Sequence, residues 1–193
     1  MARADQTTNP VSWPSSNVTL VPFRLYCDAD QYALEQERIF KGPTWNYLCL
    51  AAELPKPGDY LVTGVGETSI VVARATTGEL HAFVNRCAHR GSLLCLKRRG
   101  NAGGITCVYH GWSYDLAGNL TGVAFERGVK RQGGMPEDFK RSEHNLRKLR
   151  VAEFSGLVFG SFDEHAPDFE EALFRKREGQ LSRQHSAPLL HYF

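Results

Sequence analysis

The chain has 193 residues, enough for one domain of ordinary size with a full core and a fragment of a second. Hydrophobic residues make up 42% and charged residues 23%, a globular balance that excludes a disordered tail, and the formal net charge of +2 points to no nucleic-acid partner. No run of about eighteen apolar residues occurs and the first twenty residues lack a secretory signal's apolar stretch, so a cytoplasmic, non-membrane protein is expected.

Residues 1–25 are rich in Ser, Thr, Asn and Pro without apolar periodicity and read as an irregular arm. Asp28 to Gln31 resembles a capping box, Tyr32/Ile39 and Ala33/Phe40 recur at intervals of seven, and Gly42-Pro43 stops the run. That pattern predicts an amphipathic helix over 29–41 lying on a sheet. From there the signal is β: short apolar or alternating runs at Asn46–Ala51, Tyr60–Val65, Ser69–Ala75, Leu80–Asn85, Gly104–Val108, Trp112–Tyr114, Leu120–Val123, Leu149–Phe154 and Gly156–Phe162. Turn residues such as Pro57-Gly58-Asp59, Thr77-Gly78 and Ala117-Gly118-Asn119 separate them. Strands so close in sequence pair antiparallel, which predicts a mainly β domain of stacked sheets or a partial barrel over 44–162, preceded by an arm and helix over 1–43. The polar segment Gly128–Lys148 reads as a long connection to the last two strands.

Two clusters, CAHRGS and CVYHGW, place Cys87, His89, Cys107 and His110 in the order C-x-H-x17-C-x2-H. Two thiolates and two imidazoles in mixed pairs suit a [2Fe-2S] cluster of Rieske type, with Cys87 and Cys107 on the inner iron and His89 and His110 on the outer one. Neutral imidazoles remove negative charge from the outer iron and raise the potential above that of an all-thiolate cluster. The same four residues could hold zinc, although zinc fingers pair Cys with Cys and His with His. Among the flanking candidates, Arg90 adds charge, and Gly91 and Gly111 allow tight turns and close approach of backbone N–H groups. Tyr109 offers a hydroxyl and Trp112 a shield.

Arg86, Arg90, Lys97, Arg98 and Arg99 form a basic surround that reads either as a docking face for an acidic electron donor or as a solvated surface. The other cysteines, Cys27, Cys49 and Cys95, are expected to be buried thiols, and an odd count suits a reducing compartment. His81, His144 and His165 read as histidines without a partner.

With their flanks, namely WNYLCLAAELPKPGDY, FVNRCAHRGSLL, YHGWSYDLAGNLTGVAFERGVK, GGMP and LRVAEFSGLVFGSF, these motifs give a text that resembles the large (α) subunits of bacterial Rieske-type aromatic ring-hydroxylating dioxygenases. The resemblance runs from about Val21 to Leu173 and is strongest to members acting on anthranilate, salicylate, terephthalate and halobenzoates. It implies an ISP-type antiparallel β domain with an N-terminal helix, and one [2Fe-2S] cluster on Cys87, His89, Cys107 and His110. It also implies electrons from a reductase or ferredoxin, and a mononuclear iron(II), held by two His and a carboxylate, in a neighbouring subunit's catalytic domain. A homo-oligomer of α subunits and a small β subunit are further implied partners. Ser92 and Tyr109 stand near the positions where higher-potential respiratory relatives carry two disulfide-forming cysteines. A low potential, toward about −150 mV, is therefore expected.

The resemblance further implies a large catalytic domain, whereas about thirty residues follow Phe162, so 163–193 is expected to be a remnant of that domain's start in a truncated or rearranged gene product. His185 and His191, with Pro188 between them, are not assigned as iron ligands, and no catalytic residue is assigned. A free-standing Rieske ferredoxin is the alternative; it would need neither the helix after Asp28 nor the Gly128–Lys148 connection.

Overall fold

The computed structural model describes Thr19 and residues 21–173, so most of the expected arm, and the stretch holding His185 and His191, lie outside the described residues. A helix α1 (Ala29–Glu35) begins at Asp28, whose carboxylate accepts the backbone N–H groups of Asp30 and Gln31 at 3.1 and 3.0 Å and satisfies two otherwise unpaired donors. Gln31 directs its amide to Glu35 instead of back to the cap. The helix continues as one wider π turn over Gln36–Phe40, closed by Lys41 N–H to Gln36 C=O at 3.1 Å.

Ten strands follow: β1 (Asn46–Leu50), β2 (Asp59–Val65), β3 (Thr68–Arg74), β4 (Leu80–Val84), β5 (Arg99–Asn101), β6 (Ile105–Thr106), β7 (Ser113–Tyr114), β8 (Leu120–Gly122), β9 (Lys148–Phe154) and β10 (Leu157–Ser161). They form a seven-stranded sheet in the order β1-β10-β9-β4-β3-β2-β5 and a three-stranded sheet β6-β7-β8, with every pair antiparallel. Edge strand β1 also meets β2, near the opposite edge, so the large sheet curls into a partial barrel. The helix sits on the β2–β3 turn, where buried Gln36 accepts the Glu67 N–H at 3.0 Å and the Tyr32 hydroxyl donates to the Glu67 carboxylate at 3.0 Å.

Strand β3 explains why one sheet supports two cores. Its side chains alternate, Ile70 and Val72 pointing into the barrel and Val71 and Ala73 toward the small sheet, and all four are fully buried. Burial on both faces is why the strand reads SIVVA without polar alternation, and each buried Ile or Val contributes roughly 1.5–3 kcal/mol. The second core, between β3–β4 and the small sheet, also contains Cys87, Cys107, Trp112 and Tyr114.

Strand β5 has no counterpart among the expected runs, because Arg-Gly-Asn carries no β signal. It forms because β2 needs a partner: Asn101 donates to Asp59 at 2.8 Å, and a β-carbon on Gly100 would lie 2.6 Å from the Tyr60 hydroxyl. Cys27 is exposed, contrary to expectation, since it ends a short 3-10 turn over Phe23–Tyr26 that has no buried residue. Cys49 and Cys95 are buried as expected, and burial pushes each thiol up to about 11. Residues 163–169 return to the outside of β9–β10: Trp45 Nε1–H donates to Pro167 C=O at 2.9 Å, its ring meets Phe169 edge-on at 5.5 Å, and Arg150 binds Asp168 at 3.0 Å.

Candidate metal centre

Two loops with one backbone design carry the four candidate ligands. The first, Cys87–Ser92, follows β4, and the second, Cys107–Trp112, joins β6 to β7. In the first, Cys87 N–H donates to Ser92 C=O at 2.8 Å and Gly91 N–H to Cys87 C=O at 2.9 Å. In the second, Cys107 N–H donates to Trp112 C=O at 2.8 Å and Gly111 N–H to Cys107 C=O at 3.0 Å. Each loop therefore returns on itself over six residues, and the fifth residue takes φ of +69° at Gly91 and +66° at Gly111, a left-handed turn that glycine adopts without a β-carbon clash. The loops differ in where the histidine falls, second after Cys87 but third after Cys107.

The thiols lie inside and the imidazoles outside. Cys87 and Cys107 are 4% and 2% exposed, while the rings of His89 and His110 meet edge-to-face with centroids 4.6 Å apart. Burial acts to raise the Cys107 thiol. Hydrogen bonds from the backbone N–H groups of Tyr109 and His110 and from the Cys87 and Ser92 side chains outweigh it and hold the thiol below the ordinary range. Burial, and then the electrostatic influence of the neighbouring His110 and Arg90 side chains, lower His89, which favours the neutral imidazole that can bind a metal.

Tyr109 reaches Cys107 through its main chain; its exposed ring lies against His110 at 3.8 Å. The hydroxyl at the sulfur belongs to Tyr114. That oxygen is 3.3 Å from Cys87 Sγ and accepts the Ala88 N–H at 3.1 Å, and burial together with Cys87 raises its pKa, so it stays a protonated donor. A single signal hinted at it: Trp112 and Tyr114 are two apart in a β run and so share a face.

Arg90 is exposed and acts on His89 through charge, whereas Arg86 donates to Gly91 C=O at 3.0 Å and braces the first loop. In the basic surround, Arg99 is engaged by Glu53. Trp112, 3% exposed, stacks on His89 at 4.8 Å with 12° between the planes. His144 is not without a partner: its ring lies 5.6 Å from Trp112 and 4.7 Å from Phe139. His81 comes within 3.8 Å of Glu79.

Behind the first loop stands Asn85, 1% exposed. Its carboxamide oxygen accepts the N–H groups of Leu94 and Cys95 at 3.2 and 2.8 Å, and its nitrogen donates to Cys95 C=O at 3.0 Å and Ser69 Oγ at 3.3 Å. Among the described residues, no three His, Cys, Asp or Glu side chains converge as ligands for one ion. The four candidates divide into two buried sulfurs and two outer nitrogens, the donor set of a cluster with one iron at each end.

Residues 44–132 match the Rieske [2Fe-2S] domain family. The chain is 53% identical over 163 residues to the terephthalate 1,2-dioxygenase terminal oxygenase component subunit alpha 2 of Comamonas sp, covering 84% of this chain and 40% of that protein. It is 49% identical over 175 residues to the anthranilate 1,2-dioxygenase large subunit of Burkholderia cepacia, covering 89% and 41%. A solved naphthalene 1,2-dioxygenase superposes with a TM-score of 0.70 at 32% identity, over 77% of this chain and 32% of that one. The chain thus spans about two fifths of the curated relatives it matches. It carries a Rieske [2Fe-2S] domain of the type found in the large subunits of aromatic ring-hydroxylating dioxygenases.

Proposed function

We propose that the chain binds one [2Fe-2S] cluster, with Cys87 and Cys107 on the inner iron and His89 and His110 on the outer, and serves as the electron-transfer part of an aromatic ring-hydroxylating dioxygenase large subunit. The observation that carries this reading is the division of the site into two buried, hydrogen-bonded thiols and two side-by-side outer imidazoles on matched loops. When bound, the cluster supplies one-electron chemistry at a potential set by charge, hydrogen bonds and exposure.

The chain's own residues set those conditions. Tyr114 and the N–H groups of Tyr109 and His110 aim donors at the sulfurs, which favours the more negative, reduced state. Trp112 covers one face of His89 and excludes water there, while Gly91 and Gly111 let the loops close. The outward imidazoles give an electron donor, a reductase or a ferredoxin, its shortest approach, with the exposed Arg90 favouring an acidic partner.

Likeness to the terephthalate and anthranilate enzymes supports a carboxylated aromatic as the substrate of the complete oxygenase, with hydroxylation at a mononuclear iron outside the Rieske domain. It also supports assembly with further α subunits and with a small β subunit. Helix α1 and the 128–148 connection are integral to this fold, and a free-standing carrier would need neither. Anaerobic reductive titration tests the reading. One electron per chain, bleaching of visible absorption and a midpoint toward about −150 mV are expected; a colourless protein that takes up no electron would overturn it, and a midpoint well above zero would overturn the low-potential assignment.

A further inference from the structure

His89 and His110 are held by different means. Beyond its edge-to-face contact with His89, the His110 ring meets Tyr109, exposed and tilted by 37°. His89 of the first loop is instead covered by Trp112 of the second, nearly parallel at 12°, and Trp112 in turn meets two further rings. Phe139 and His144 make T-shaped contacts with its ring at 5.9 and 5.6 Å, with interplanar angles of 73° and 70°.

Both rings belong to the 128–148 connection, which is fixed from several sides. His144 Nδ1 lies 3.0 Å from Lys140 C=O, which orients the ring. Arg141 grips both Glu126 carboxylate oxygens, with its Nε at 3.1 and 3.2 Å, and donates to Thr121 C=O at 2.6 Å. Asn145 Oδ1 accepts Leu120 N–H at 2.9 Å, and Leu146 N–H donates to Gly118 C=O at 2.9 Å. The segment is thereby tied to β8 and to the turn before it, the same hairpin that carries Trp112 near its start.

We infer that His144 is a positioning residue for His89: with Phe139 it presses Trp112 flat against the imidazole and so sets the plane in which the His89 ring meets the outer iron. The inference rests on the cluster assignment proposed above. An imidazole bound to a metal can rotate about its metal–nitrogen axis, and a stacked indole removes that freedom only if the indole cannot rock. A rigid ring two layers away therefore fixes one ligand and leaves the other, His110, to Tyr109.

The test is pulsed EPR on the reduced protein, which resolves the couplings of the two ligand nitrogens, with the midpoint potential as a second readout. In His144→Leu, one of the two nitrogen couplings should broaden or shift while the other holds, and the potential should move. His144→Phe, which restores an aromatic edge without a ring nitrogen, should return both to the wild-type values. Unchanged couplings and potential in His144→Leu would overturn the inference, as would failure of His144→Phe to rescue a cluster-bearing His144→Leu. If His144→Leu does not load, Phe139→Leu is read in the same way, with the same outcomes. A wild-type spectrum with no coupling from two histidine nitrogens would instead overturn the cluster assignment itself, and the inference with it.

Discussion

The Tyr114 hydroxyl lies 3.3 Å from Cys87 Sγ and, through the same oxygen, accepts the N–H of Ala88, the next residue in the loop. One buried side chain thus steadies the first loop and donates to a sulfur at the inner end of the site. A hydrogen bond to sulfur stabilises the more negative, reduced state. Tyr114→Phe, which keeps the ring, is expected to lower the midpoint potential and to cost about 0.5–1.5 kcal/mol of stability. Voltammetry on the two proteins measures this, and an equal or higher potential in the variant would contradict the role.

Asn85 acts as a peptide surrogate, its carboxamide pairing with both backbone groups of Cys95. Asn85→Leu fills the space but strands the N–H groups of Leu94 and Cys95, each costing roughly 1–3 kcal/mol when buried unpaired. Denaturant unfolding should show the loss, and iron content should fall because the base of the first loop is no longer closed. A variant as stable and as iron-rich as wild type would remove Asn85 from the account.

The two loop glycines separate strain from crowding. Both have φ near +67°, as their values of +69° and +66° show, so alanine at either costs about 1–2 kcal/mol in the left-handed region. A β-carbon on Gly91 meets nothing within 4 Å, whereas on Gly111 it meets the Ala124 β-carbon at 3.0 Å. Gly111→Ala should therefore lower the melting temperature and cluster occupancy more than Gly91→Ala; the reverse order would show that the second loop is not braced by residue 124.

Glu126 carries the acid sensitivity of the strap behind Trp112. The Arg141 guanidinium holds its carboxyl below the unfolded value of 4.5, so the pairing stabilises the fold fully above that pH and is lost as pH falls through the lower, folded value. Asp28, Glu53 and Asp59 are lowered in the same direction, mainly by hydrogen bonds to backbone and side chains. The melting temperature is expected to drop on acidification from about pH 5 to about pH 3, and Glu126→Gln should make the drop shallower. A melting temperature that is flat over this interval, or an unaltered slope in the variant, would contradict the assignment.

What could be read in the sequence follows from distance along the chain. The four candidate ligands and their glycines lie in two six-residue phrases, and nine of the ten strands, β5 apart, carry their own alternation or apolar run. Tyr114 could not be placed, because its hydroxyl meets Cys87 only once the β6–β7 pairing of Ile105 with Tyr114 turns it toward the first loop. His144 follows Trp112 by 32 positions, so nothing local marks it as the backing of a ring that covers His89. Cys27 was expected inside on residue type alone, but the turn that carries it has no core to enter.

EPR of the reduced chain, combined with iron and acid-labile sulfide analysis, tests the proposed two-iron cluster on Cys87, His89, Cys107 and His110. Two irons and two sulfides per chain are expected, with a Rieske-type signal, the signature of an iron carrying imidazoles. A single metal without labile sulfide, or the signal of an all-thiolate cluster, would contradict it.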